Sequence, residues 1–505
     1  MKSENIVFPS DAGVINVKEP PYNAGGDGRV DDTAAIQAAL NDYPDMRAII
    51  YLPAGTYLVS DTLKWPWADP EHAQKNTILQ GQNEQETIIR LADTCDGFTV
   101  PGRPRPVIWT GRAPAQRFRN AVRNLTIHTG QGNAGAIAAQ FMANNQGGIF
   151  HVTMRSGDGS GHIGLDMSYS DEVGPLLIKH VRIFGFDYGI KIKHSVDSMT
   201  LEHVGLEGQR ICGIHNDGQC VSIRKLRSVN SVPAVINDTG TGMITLVDAE
   251  LRCAGDASKH DALVNRASFF ARTVAVSGYR SAIANESGTG QGAAGPFVEE
   301  FVSHEVAALF PTDEKSLNIT VKETPDVPWD GLHEWISPLQ FGARKNSRYD
   351  CSEAVQQAID SGKSTLYFPR GTYRIVKPLH IRGAIRRIIG CEAFLDVRAM
   401  NDPVFTLEDG RYPVVVFERL ESNFEPTIML TNKSSRTLVI RNCCNVTGWF
   451  RGPGEIYIED VCSNPNTFWR FDGSKVWARQ FNPEPMGTHV VNNGGDLWVL
   501  GFKTE

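Results

Sequence analysis

The stretch NAGGDGRVDDTAAIQAALNDYPDMRAIIYLPAGTYLVSDTL, Asn23 to Leu63, occurs again in altered form as FGARKNSRYDCSEAVQQAIDSGKSTLYFPRGTYRIVKPL, Phe341 to Leu379. Ala35, Ile36, Gln37, Ala39 and Leu40 correspond to Ala354, Val355, Gln356, Ala358 and Ile359, and YLPAGTY from Tyr51 corresponds to YFPRGTY from Tyr367. In each copy the run after the acidic residues has helical spacing behind an Asp-Thr or Cys-Ser cap. The YxPxGTY run alternates as a strand does and ends in a glycine turn. This predicts a short helix laid over the open end of a β-stack, an end that otherwise exposes the core and an edge strand. Between the copies, PTDEKSLNITVKETPDVPWDG, Pro311 to Gly331, reads as a linker from its proline and charge content. Two domains are expected, residues 1–330 and 331–505.

Working outward from each start, short strands of one form recur, with apolar residues at alternate positions around a polar corner. In the first copy they are VRNLTI from Val122, IFHVTM from Ile149, LIKHVRI from Leu177, MTLEHVGL from Met199, VSIRKLRS from Val221, ITLVDAEL from Ile244 and FARTVAV from Phe270. In the second they are VFERLES from Val416, LVIRNCC from Leu438, IYIEDV from Ile456 and KVWARQF from Lys475. Their spacing of roughly 22 to 28 residues is that of one coil of a parallel β-helix with three short strands. A sandwich or propeller would need hairpin signals at shorter spacing, and these are mostly missing. The expected fold class is all-β, two tandem right-handed parallel β-helices (solenoids), each with a short N-terminal capping helix.

Composition narrows the class. At 505 residues the chain exceeds what one core sustains, and 41% hydrophobic with 21% charged residues is ordinary for a globular protein. A net charge of −7 gives no global field for nucleic acid or an anionic membrane. The nine cysteines show no CxxC pair or Cys/His ligand spacing, so buried unpaired thiols are expected in place of zinc or a disulfide framework. The start has no apolar core of signal-peptide length and no run spans a membrane, so the chain is either intracellular or has lost a signal. No cofactor, no metal and no nucleic-acid partner are expected, and the chain is read as a monomer.

The GDGxxDDTxAIQxAL start followed by YLPxGTY resembles the pectate-lyase-like superfamily of right-handed parallel β-helices, whose members include glycoside hydrolases, polysaccharide lyases and phage tailspikes. Asp27, Asp31 and Asp32 are read as helix caps and loop-builders within that motif. Two β-helices in tandem resemble glycoside hydrolase family 55, which cleaves β-1,3-glucans with inversion. GDLWVLGFKTE, Gly495 to Glu505, is similar to that family's GPVWLYGTASEH run and puts Glu505 at the place of its general acid. WARQFNPE, Trp477 to Glu484, echoes a WTADHDLD-like stretch, and AAQFMANNQGGIFHV, Ala138 to Val152, resembles the segment whose glutamines hold the attacking water. Gln140 falls on the first of those glutamines and Ala143 on the second, with Asn144 beside it. Where the family has a serine turn, SYSDEVGP offers Asp171 and Glu172.

The resemblance implies an extracytoplasmic glycoside hydrolase acting on a carbohydrate, with β-glucan favoured. Inverting hydrolysis needs two carboxyl groups roughly 6.5 to 9.5 Å apart. In this reading Glu505 is the acid, Glu484 raises its pKa, and Gln140 with Asp171 or Glu172 handles the water in a cleft between the helices. Asn144, Trp477, Glu421 and Glu418 are candidate substrate contacts, since alternation sends both glutamates out of the core if Phe417 and Leu420 enter it. Glu202 and Glu207 raise the same question in the first copy. A polysaccharide lyase is the alternative. Arg103, Arg105, Arg112, Arg117 and Arg119 would then neutralise a uronate, with Lys179, His180, Lys191, Lys193 and His194 as bases or clamps. A non-catalytic, tailspike-like carbohydrate-binding helix is a third reading, with Trp65, Trp67, Trp109, Trp449 and Trp477 as stacking platforms.

Overall fold

A computed structural model describes residues 4–66, 74–111, 117–169, 173–193, 197–255, 259–313, 315–398, 400–423, 428–463 and 467–504. Strands make up 47% of the chain and helices 5%, wound as a β-solenoid of about 18 turns, so the all-β expectation holds. Contact density divides the chain into two units. The first is Met1–Asn5, Asn16–Met46 and Ile50–Asn318; the second is Ile6–Ile15, Arg47–Ile49 and Ile319–Glu505.

Helix α1 (Thr33–Asn41) buries Ile36, Ala39 and Leu40 in the first unit. The acidic motif builds its entry. Asp31 accepts from the Thr33 N–H at 2.9 Å, while Asp32 turns away from the helix to accept from the N–H groups of Gly25 and Gly26 at 2.6 and 2.9 Å. Asp27 accepts from the N–H groups of Arg29 and Val30. Helix α2 (Ser352–Ile359) repeats the device, with Asp350 accepting from the Ser352 N–H and hydroxyl at 2.9 and 2.6 Å. Asp31 and Asp350 thus satisfy an N–H group at a helix start, a capping role, while Asp27 and Asp32 hold the loop that leads into it.

A 15-stranded and a nine-stranded sheet form the walls of the first unit. Long strands of the larger sheet, such as Gly147–Arg155, Leu176–Phe184 and Ser198–Glu207, each bend at one residue in the left-handed conformation. Asn124, His151, His180, His203, Lys225, Asp248 and Thr273 hold these bends, 22 to 29 residues apart and in register. These are the polar corners of the sequence pattern.

The imidazoles of His151, His180 and His203 stack at 4.6 and 4.8 Å between centroids. Burial first, then the charges of Lys179, His151 and His203, pushes the His180 pKa down to about 2. His180 is therefore neutral when folded, and an unfolded chain gains a proton below about pH 6.5. Stability is full above that pH and falls as pH drops through it, by about 2 kcal/mol at pH 5. His180→Asn, a residue that tolerates the left-handed bend, should shrink the difference in urea midpoint between pH 7 and pH 5.

Inside the nine-stranded wall runs an asparagine ladder. Asn216 donates to Asn237 at 3.0 Å, Asn237 to Asn265 at 2.9 Å, and Asn265 to Asn285 at 2.8 Å. Asn265→Ala leaves a buried amide on either side without its partner and should lower stability by about 2 to 4 kcal/mol, measured by urea denaturation.

The second unit has an eight-stranded sheet and three three-stranded sheets around a core that includes Phe368, Phe405, Phe417, Leu420, Trp469 and Phe481. Its segment from Ile319 to Asp330 is not a free linker as expected; it straps the outer face of the eight-stranded sheet. Val327 packs with Val416, Val439, Tyr457 and Trp477, and the Thr320 and Val327 carbonyls accept from Trp477 Nε1 at 2.9 Å and Arg387 Nη2 at 2.6 Å. The reason is apolar: without the strap that face would expose a valine and aromatic patch. The nine cysteines form no disulfide among the described residues.

Candidate functional site

The nine-stranded sheet turns one row of side chains outward. Parallel pairing puts Lys64, Trp109, Gln140, Asp166, Lys191 and His215 on successive rungs. At about 4.8 Å per rung, the row from Trp109 to His215 is about 19 Å long. At its first rungs Lys64 and Trp109 also line a cavity of about 870 Å³ with Asp31, Gln37 and Asp61.

Within the row Asp166 is 4% exposed and fixed by three donors, Gln140 Nε2 at 2.9 Å and the Ser168 N–H and Oγ at 2.9 and 2.6 Å. Next along, the partly exposed Tyr188 ring lies between two imidazoles, His162 at 6.2 Å and His215 at 6.1 Å, with Lys191 Nζ 4.9 Å from its centroid. Each imidazole is tied to a carboxylate: His162 Nδ1 to Asp187 and His215 Nε2 to Asp238, both at 3.1 Å. Arg210 pairs with Asp187 and Arg266 with Asp238, each at 2.8 Å. A neutral imidazole that donates to its carboxylate keeps a lone pair on the other nitrogen, so each is oriented as a base. Burial, then the Cys212 thiol and the Asp187 charge, raises the Tyr188 pKa and keeps the phenol protonated. A phenol thus stands between two carboxylate-held imidazoles, beside a cation.

Gln140 thus sits on this face, but its carboxylate partner is Asp166, which sequence reading missed. Lys191 and Lys193 lie on the same strand, Tyr188–Lys193. Asp171, Glu172, His194, Arg112, Trp67 and Glu505 lie outside the described residues. Asn144 is a buried loop fastener, donating to the Gly174 carbonyl at 2.5 Å and accepting from the Arg117 N–H at 2.8 Å. Of the described arginines in the arginine-rich loop, Arg117 and Arg119 are buried, Arg105 pairs with Asp61, and Arg103 is exposed. Lys179 pairs with Glu202 at 2.8 Å, and His180 is held in the stack.

The candidates of the second unit are internally committed. Glu484, 6% exposed at its side chain, is held by Lys503 Nζ at 2.7 Å and Asn482 Nδ2 at 2.8 Å. Trp477 is 3% exposed, stacked on Tyr457 under the strap, and offers no open face for a sugar. Phe417 and Leu420 do enter the core and the glutamates do leave it, but neither reaches a groove. Glu418 pairs with Arg387 and with Arg441 at 2.9 Å, and Glu421 with Arg47 at 2.8 Å.

Residues 14–248 match the family described as "Rhamnogalacturonase A/epimerase, pectate lyase-like". The pectate-lyase-like resemblance is borne out there, and the matched span contains the whole outward row; nothing in it singles out family 55. Among curated proteins, the mannuronan C5-epimerase AlgE3 of Azotobacter vinelandii is 39% identical over 101 residues, 19% of this chain and 5% of that protein. The non-secreted LysM effector LysM19 of Penicillium expansum is 43% identical over 53 residues, 10% of this chain and 4% of that protein. The chain thus spans only a small fraction of the length of the curated relatives it matches. Among solved structures, the catalytic unit of the GH87 α-1,3-glucanase from Streptomyces thermodiastaticus strain HF3-3 aligns over 99% of this chain and 71% of its own, at 10% identity and a TM-score of 0.36. The AlgE4 A-module of Azotobacter vinelandii aligns over 97% and 100%, at 11% identity and a TM-score of 0.29.

Proposed function

We propose that this protein is a carbohydrate-active enzyme whose polysaccharide substrate lies along the outward row of the nine-stranded sheet, and that the sugar attacked is a uronic acid. The observation that carries the reading is the protonated phenol of Tyr188 between two carboxylate-held imidazoles. His215 or His162 removes the C5 proton, Lys191 neutralises the uronate carboxylate whose charge grows as that proton leaves, and Tyr188 returns a proton. Delivered to the departing O4, that proton completes an elimination; delivered to C5 from the other face, it inverts that centre. Trp109 provides a stacking face at one end of the row. Such a polymer is met outside the cytoplasm, where we place the protein.

The pairing of Gln140 with Asp166 favours a second reading, inverting hydrolysis in which the amide positions water for a carboxylate base. That chemistry needs a second carboxyl group roughly 6.5 to 9.5 Å away. On this face the carboxylates of Asp187 and Asp238 are both tied to imidazole and guanidinium groups.

Incubation with polymannuronate, polygalacturonate and neutral glucans in D₂O separates the chemistries. An ultraviolet-absorbing unsaturated uronate, or deuterium at C5 without chain cleavage, is the expected result. New reducing ends from neutral glucan alone would overturn it in favour of hydrolysis.

A further inference from the structure

A second site lies on the other wall of the first unit. The outer face of the long-strand sheet holds a groove of about 490 Å³, within the range of small-ligand pockets. Its floor is opened by Gly205. Arg182, Gly205, Arg227 and Glu250 occupy one outward row on successive strands, so the missing side chain leaves a gap between two arginines. A Cβ at Gly205 would meet only Arg182 Cγ, at 3.5 Å.

What lines the gap is unlike the rest of that face. Most charges on it, including Arg182 and Asp248 at the groove itself, are spent on one another: Lys179 on Glu202, Glu202 on Arg224, Arg224 on Asp248, and Arg182 on Glu84. In the groove, Glu207, Lys225, Arg227 and Glu250 have no hydrogen-bond or ion-pair partner for their charged groups among the described residues. They stand there with the apolar rings of Phe184 and Phe297.

We propose that this groove binds a neutral oligosaccharide, apart from the acid–base site. The two unspent cations and two unspent carboxylates balance, as do Arg182 and Asp248 beside them, which leaves no net charge to select an ionic ligand. Arg227 and Glu250, cross-strand neighbours in register, present a donor and an acceptor side by side, the arrangement that satisfies adjacent sugar hydroxyls, each of which both gives and takes a hydrogen bond. The aromatic rings supply apolar faces for the sugar C–H groups. The assignment stands independently of the chemistry at Tyr188.

Titration calorimetry of the full chain with cellohexaose, laminarihexaose and a hexamannuronate tests it. At least one neutral hexasaccharide should bind. Gly205→Phe, which fills the groove at a position with room for a side chain, and the pair Arg227→Ala with Glu250→Ala should each weaken binding at least tenfold at an unchanged melting temperature. Tyr188→Phe should leave this binding intact. No binding of either neutral sugar, binding indifferent to Gly205→Phe, or a Gly205→Phe-sensitive preference for the charged sugar would each overturn the proposal.

Discussion

Tyr188→Phe is expected to lower turnover on a polyuronate by about 10² to 10⁴-fold, the usual contribution of a positioned proton donor. The substitution removes one oxygen and keeps the ring, so the edge contacts with His162 and His215 and the seat of Lys191 remain. The melting temperature should therefore hold while activity collapses. His215→Ala should likewise lower turnover at an unchanged melting temperature, and a kcat that falls while KM holds in both variants is a readout that a structural role would not give. An unchanged rate in Tyr188→Phe would sink the acid assignment and turn attention to Asp166 and Gln140.

The second large effect is on stability. Glu418 and Arg387 are both buried on the outer face of the second unit's eight-stranded sheet, with Arg441 on the other carboxylate oxygen and the Arg387 guanidinium 4.0 Å from the Trp329 ring. Glu418→Ala leaves Arg387 charged and buried without its partner. Breaking a buried pair from one side costs about 3 to 5 kcal/mol, because the desolvation of the remaining charge is no longer offset. Urea denaturation followed by tryptophan fluorescence should show the midpoint of the second unit's transition falling sharply. The double variant Arg387→Met with Glu418→Leu should recover most of the loss, since an apolar pair of similar volume carries no desolvation cost. Equal losses in the single and double variants would mean that packing, not charge, accounts for the effect.

Two of the site's residues could have been read by stacking the coils. HIGLDM from His162, DYGIKI from Asp187 and ICGIHN from Ile211 share one pattern, a glycine followed by an aliphatic and then a polar residue. Aligned, they put Asp166, Lys191 and His215 in a single outward column. Lys191 stood out in the sequence as a candidate, Asp166 and His215 emerge once the coils are aligned, and Tyr188 does not, because it gains chemistry only from neighbours one coil away. Gln140 was singled out by a family likeness, yet the carboxylate it pairs with lies 26 residues downstream, set by the register of parallel strands.

The sequence by itself determined the duplicated starts, the capping helices, the alternation of the strands and the polar corners, since each rests on interactions within a few residues of the chain. It also determined that Glu418 and Glu421 leave the core once Phe417 and Leu420 enter it, because a strand's side chains alternate between two faces. Only the tertiary structure decided what those faces meet. Outward on the nine-stranded sheet is a row of acid–base groups, whereas outward in the second unit is a dry surface beneath residues 319–330, where Glu418 is ion-paired and Trp477 is covered. Period-two alternation fixes which side a residue takes. Whether that side meets solvent, substrate or another stretch of the same chain depends on segments remote in sequence, which no local pattern records.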